Sequence, residues 1–191
     1  MKDWFLQKDW FYLRRPFYVE TIRYKSYPSR CPPIPVFVYF GEIKEIPFLD
    51  MAKYINYFDD HFPLYATGLR AILILDEFLY HPLTGRHVRG FCGDIETQTM
   101  IIFKEAFEEK FDWFIYHELS HLPYNTAKIP EWWEGVREEE QKFISDYAKI
   151  NAEEDFAETA SHWLLDSQKT KEKAPVKAKF MENLSKRDWP E

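Results

Sequence analysis

Cysteine is scarce in this chain: only Cys31 and Cys92 occur, and they form no C-x-x-C pair. A thiolate zinc site is therefore not expected. At most one disulfide is available, and two buried thiols are the simpler reading. Long apolar runs are also missing. AILILDEFLYHPL is broken by Asp76 and Glu77, so no membrane span and no membrane partner are expected. Positive charge is in deficit, with 25 Lys and Arg against 32 Asp and Glu and a formal net charge of -7. Phosphate binding needs a basic surface, so nucleic acid is not an expected partner, even with Arg14 and Arg15 set among aromatics. The N-terminal MKDWFLQKDWFYLRRPF carries charges throughout and lacks an apolar core. It does not read as an export signal, which favours a cytoplasmic location and leaves leaderless release open. Six glycines against twelve prolines point to long irregular connections.

Aromatic side chains are abundant. Among 191 residues there are 17 Phe, 12 Tyr and 7 Trp, and 46% are hydrophobic. That is enough to argue against disorder and for one domain with a real core. Residues 1–35 read as an N-terminal arm packed on the domain, 36–167 as the domain, and 168–191 as a charged, flexible tail. Within the domain, the β-branched and aromatic run after Pro35 predicts a strand over 36–41, ended by Gly41. Phe48, Met51, Ala52, Ile55 and Phe58 recur at helical spacing and predict a helix over 48–60. Further strands are expected at 69–78, 87–91 and 97–103. Further helices are expected at 105–122, where Pro123 would limit the helix, at 131–149 and at 152–165.

Within the first of these later helices lies HELSH, His117 to His121. Two histidines four apart stack on one helical face, where both imidazoles can reach one ion. Glu118 is rotated off that line, near enough to take a proton from a metal-activated water without being a ligand. Such a site needs a third protein ligand. Glu153, Glu154, Asp155, Glu158 and His162, all in NAEEDFAETASHWLL, are candidates. Glu154 and Glu158 share a helix face, so one can bind metal while the other orients a histidine, and spacing does not choose between them. His61, His81 and His87 lie outside this constellation.

HELSH followed by a helix reading EDFAE resembles the glutamate-ligand zincin metallopeptidases, or gluzincins, in particular the group of the anthrax lethal factor catalytic domain and the Pro-Pro endopeptidases. The likeness covers about residues 97–165 and is weaker in the order of elements from 36 onward. It implies an α+β, zincin-like fold: a small mixed sheet with a backing helix, an HExxH active-site helix and C-terminal helices. It implies Zn(II) on His117, His121 and Glu154, with Glu158 as a partner behind the ligands. Tyr147, seven residues before Glu154, takes the position of a tyrosine that assists the oxyanion, with Tyr124 a lesser candidate. The activity implied is a zinc-dependent endopeptidase with Glu118 as general base. A catalytically inactive, zinc-stabilised protein-binding module is the alternative. In zincins a peptide or protein substrate lies extended along an edge strand, here expected to be 97–103, and Trp132 and Trp133 are candidates for a side-chain pocket.

Overall fold

The computed structural model describes residues 18–22, 33–39, 46–62, 69–75, 79–80, 87–92, 98–125 and 129–186. Its centre is a five-stranded mixed sheet. β1 (Tyr18–Ile22), β2 (Ile34–Val38), β3 (Ala71–Leu75), β7 (Thr99–Phe103) and β6 (Gly90–Cys92) lie in the order β1-β2-β3-β7-β6. β2, β3 and β7 run parallel, and the two border strands are antiparallel to their neighbours. A two-residue pair, β4 (Leu79–Tyr80) and β5 (His87–Val88), stands apart from this sheet.

Alternation explains how the sheet is covered. Ile34, Val36 and Val38 are buried at every second position of β2, as a half-buried strand requires. With Ile72, Ile74, Met100 and Ile102 they join one large core. The opposite face holds a small cluster of Leu75, Ile101 and Phe103.

Helices build the rest of the large core. α1 (Phe48–His61) buries Met51, Ile55 and Phe58 along one stripe, the spacing that a helix needs to face a sheet. It backs α2 (Phe111–Tyr124), where Tyr54 meets Phe111 and Tyr116 edge-on at 6.0 and 5.9 Å. α2 is buried on all sides from Phe114 to Tyr124, as befits a central helix. α3 (Ile129–Glu139), α4 (Ala152–Leu165), α5 (Ser167–Lys173) and α6 (Pro175–Ser185) complete the domain. Among the described residues no helix is long and apolar enough to cross a membrane.

Several expectations need correction. The segment expected as one helix over 105–122 begins with a 3-10 turn, Lys104–Phe107, and breaks at Lys110, whose φ of 51° is left-handed. α2 then runs past Pro123 to Tyr124. Proline forfeits one helical donor, but the N–H of Asn125 still closes the end onto the carbonyl of His121. The helix expected over 131–149 stops at Glu139, because the Glu140 side chain accepts from the N–H groups of Val176 and Lys177 and caps α6. Strand 97–103 is not an edge: β6 pairs with it at Met100–Ile102, so β6 forms the border of the sheet.

The terminal regions differ as well. Residues 18–22 of the expected arm form a strand of the sheet, while 1–17 and Cys31 lie outside the described residues. Residues expected as a flexible tail form α5 and α6, with Ala174, Ala178, Met181 and Leu184 buried. Lys177 explains how a charged segment packs. Its ammonium is fully buried and donates to both oxygens of Asp155 at 2.9 and 2.8 Å and to the carbonyl of Lys142 at 2.7 Å. A buried ammonium is tolerated when its donors are all taken.

Candidate metal centre

α2 and α4 build the site between them. On α2, His117 and His121 stand one turn apart with ring centroids 5.1 Å from each other. On α4, the Asn151 side chain accepts from the N–H of Glu154 at 2.8 Å and so caps the helix. That cap fixes the first turn, which carries Glu153, Glu154 and Asp155. The result is a triad: one ligand atom from each of His117, His121 and Glu154, all within 4.8 Å of one another.

The two imidazoles lie nearly perpendicular, at 79°, yet both turn Nε2 toward one point. Nε2 of His117 and of His121 face the same oxygen of Glu154, Oε2, at 3.2 and 4.0 Å. Each Nδ1 faces another carboxylate: Glu158 Oε1 at 3.0 Å from His117, and Glu153 Oε1 at 2.9 Å from His121. A carboxylate on Nδ1 fixes the tautomer that leaves Nε2 as the electron-pair donor. Glu154 Oε2 is buried, and no donor is aligned with it; the same holds for His117 Nδ1 and Glu158 Oε1, which meet at ion-pair distance without in-line geometry. Two imidazole nitrogens and one carboxylate oxygen, converging on a point with an unsatisfied buried anion, suit a divalent cation with an open position.

Electrostatics agree with the geometry. Burial works against a charged His117, but the adjoining carboxylates of Glu154 and Glu158 outweigh it and hold its pKa up at about 10. A group that keeps a proton so tightly between two carboxylates marks a place where positive charge is favoured. Burial also opposes an ionised Glu158, yet the adjoining His117 imidazole and a hydrogen bond from Ser145 keep it below the usual carboxylate range. The hydrogen bond with His121 holds Glu153 low in the same way.

Glu118 is 8% exposed. Burial pushes its carboxyl up, against the pull of His117 and His121 and a backbone hydrogen bond from Cys92 of β6. A carboxylate raised towards neutrality is suited to taking and returning a proton. Tyr147 lies in a 3-10 turn, Tyr147–Lys149, before α4, with its ring 5.8 Å from that of His117. Burial raises its hydroxyl pKa, as do the charges of Glu154, Glu118 and Glu158, so the group stays a proton donor. Trp113, one turn before His117, lies against that imidazole with ring centroids 5.2 Å apart.

The remaining candidates go elsewhere. Asp155 turns to Lys177 and Arg137. His162 places Nδ1 3.1 Å from the carbonyl of Glu158 and is outside the triad. Tyr124 is buried against Phe156, and Trp133 is buried in the core against Phe156 and Phe180, so neither offers a surface to substrate. Two contributors take places the sequence does not indicate: Glu153, a candidate ligand by position, stands behind His121, and Ser145 stands behind Glu158. The Asn151-x-x-Glu154 pattern was a legible cap signature; nothing in the sequence ties Ser145 to Glu158.

The sheet, the backing helix, the HExxH helix and the C-terminal helices form a zincin-like α+β architecture, and His117-Glu118-x-x-His121 with Glu154 matches a gluzincin-type active site. Comparison with family models, with curated proteins and with solved structures found no match.

Proposed function

We propose that this chain is a zinc-dependent endopeptidase. The observation that carries this reading is the convergence of His117 Nε2, His121 Nε2 and Glu154 Oε2, with the buried Glu118 beside them. Zn(II), when bound there, supplies Lewis acidity toward the scissile carbonyl and lowers the pKa of water. Glu118 takes the proton of the attacking water and passes it to the leaving amine. Tyr147 donates its hydroxyl proton in a hydrogen bond to the developing oxyanion, a contact worth most in the transition state. Glu158 and Glu153 hold the two imidazoles in place. The spacing of HELSH, Tyr147 and EDFAE supports the assignment by its resemblance to the lethal factor and Pro-Pro endopeptidase group. A buried base also favours an enzyme over a zinc-stabilised binding module, because a purely structural site has no use for one.

The test is elemental analysis of the purified chain with a peptide-library cleavage assay. About one zinc per chain is expected from a single three-ligand site. Glu154→Ala is expected to lose it. Glu118→Gln is expected to keep zinc and to lower kcat by about 10²–10⁴-fold. Undiminished cleavage by Glu118→Gln would remove Glu118 from the chemistry. Bound zinc with no cleavage of any peptide would leave the binding module.

A further inference from the structure

We infer that Ser145 is a positioning residue, whose hydroxyl ties the turn carrying Tyr147 to the carboxylate behind His117. The inference rests on the metal-site reading above. Ser145 Oγ donates to Glu158 Oε2 at 2.6 Å and accepts from the N–H of Ala148 at 3.1 Å. Glu158 uses its other oxygen on His117 Nδ1, at 3.0 Å. One hydroxyl has one proton to give and lone pairs to receive, and here both functions are used at once. One bond anchors the start of the 3-10 turn Tyr147–Lys149 by taking up the N–H of Ala148. The other orients the carboxylate that orients a metal-binding imidazole.

The segment has no helix or strand of its own between Glu139 and Tyr147, so it is held from outside. Lys177 Nζ donates to the carbonyl of Lys142, and Lys173 Nζ donates to the carbonyl of Ile144 at 2.9 Å. These lysines fix the approach, and Ser145 fixes the last step, one residue further on. Loss of its hydroxyl therefore acts at two places: on the metal, through Glu158 and His117, and on the oxyanion donor, through the turn.

The test compares the full chain with Ser145→Ala and Ser145→Thr. Zinc affinity is measured by competition with a chromophoric chelator, and kcat and KM at saturating zinc on a quenched-fluorophore peptide that the wild-type chain cleaves. In Ser145→Ala the zinc Kd is expected to rise about tenfold, as for other residues behind metal ligands. At saturating zinc its kcat is expected to fall with KM unchanged, and Ser145→Thr is expected to restore both. Wild-type zinc affinity and wild-type kcat in Ser145→Ala would overturn the inference. So would equal losses in Ser145→Ala and Ser145→Thr, which would assign the effect to packing. If the wild-type chain binds zinc but cleaves no peptide, the peptidase reading fails, and the zinc affinities alone decide the role of Ser145. A wild-type chain that takes up no zinc overturns both.

Discussion

Each histidine of the triad has its own carboxylate behind it, and the two come from different turns of α4. Glu153 serves His121 and Glu158 serves His117, while Glu154 between them in sequence faces both Nε2 atoms. Removing such a partner loosens the imidazole without removing a ligand. Glu153→Ala and Glu158→Ala are each expected to raise the zinc Kd by about 10–100-fold, measured by chelator competition. Zinc affinity unchanged in both would show that packing alone orients the rings. At this scale the sequence revealed the donors more readily than their assignments. HELSH was legible because four-residue spacing on a helix has one geometric meaning. The division of labour among Glu153, Glu154 and Glu158 was not, because these three acids within six residues differ mainly in rotation about the helix axis, and that rotation is set by packing against α2.

Elements were legible where periodicity is strong. α1 and α4 lie close to their expected bounds, since their apolar positions recur at helical spacing. The end of α3 was hidden, because Glu140 leaves the helix for partners 36 and 37 residues further on. β6 was hidden in part because three residues carry too little pattern to show their pairing. Its closeness to α2 is seen in Gly90. A Cβ there would stand 2.3 Å from the carbonyl oxygen of Ile101 and 2.6 Å from Cζ of Phe114. The first contact is with backbone and has little room to yield. Gly90→Ala is expected to destabilise the fold by about 1–3 kcal/mol, the usual cost of overpacking. Gly135, inside α3, would meet nothing within 4 Å, and Gly135→Ala is expected to stabilise by about 0.5–1 kcal/mol. Urea unfolding of the two variants checks both signs, and equal midpoints would refute the close-approach argument.

Across the whole molecule the apolar core is joined to its C-terminal helices through groups that a sequence presents as solvated. Lys177 and Asp155 are both fully buried, and this pair pins α6 to α4. Composition alone marks 168–191 as a charged tail; what brings Lys177 of α6 into the core is a partner 22 residues earlier. Charge burial also leaves a mark on stability against pH. Burial lowers the pKa of His162 from the usual 6.5, with Lys173 and Lys169 adding to the effect and Glu158 opposing it. The unfolded chain then binds the proton more readily than the folded one, so the contribution of His162 is retained above 6.5 and lost as pH falls through it. His162→Gln is expected to give a flatter profile of melting temperature below that pH. Parallel profiles for the two proteins would remove His162 as the source.

Lys173 and Lys177 hold the approach to Tyr147 from positions further along the chain. Chains ending at residue 166 are expected to carry HELSH and Glu154 yet to show no measurable peptide cleavage, and full activity in such chains would break the link. The order of these residues therefore has a bearing on biosynthesis. A growing polypeptide emerges with His117, Glu118 and His121 before it has Lys173 and Lys177, which hold the segment that leads to Tyr147. On the peptidase reading, cleavage then waits until Lys173 and Lys177 have left the ribosome and docked on the segment before Tyr147.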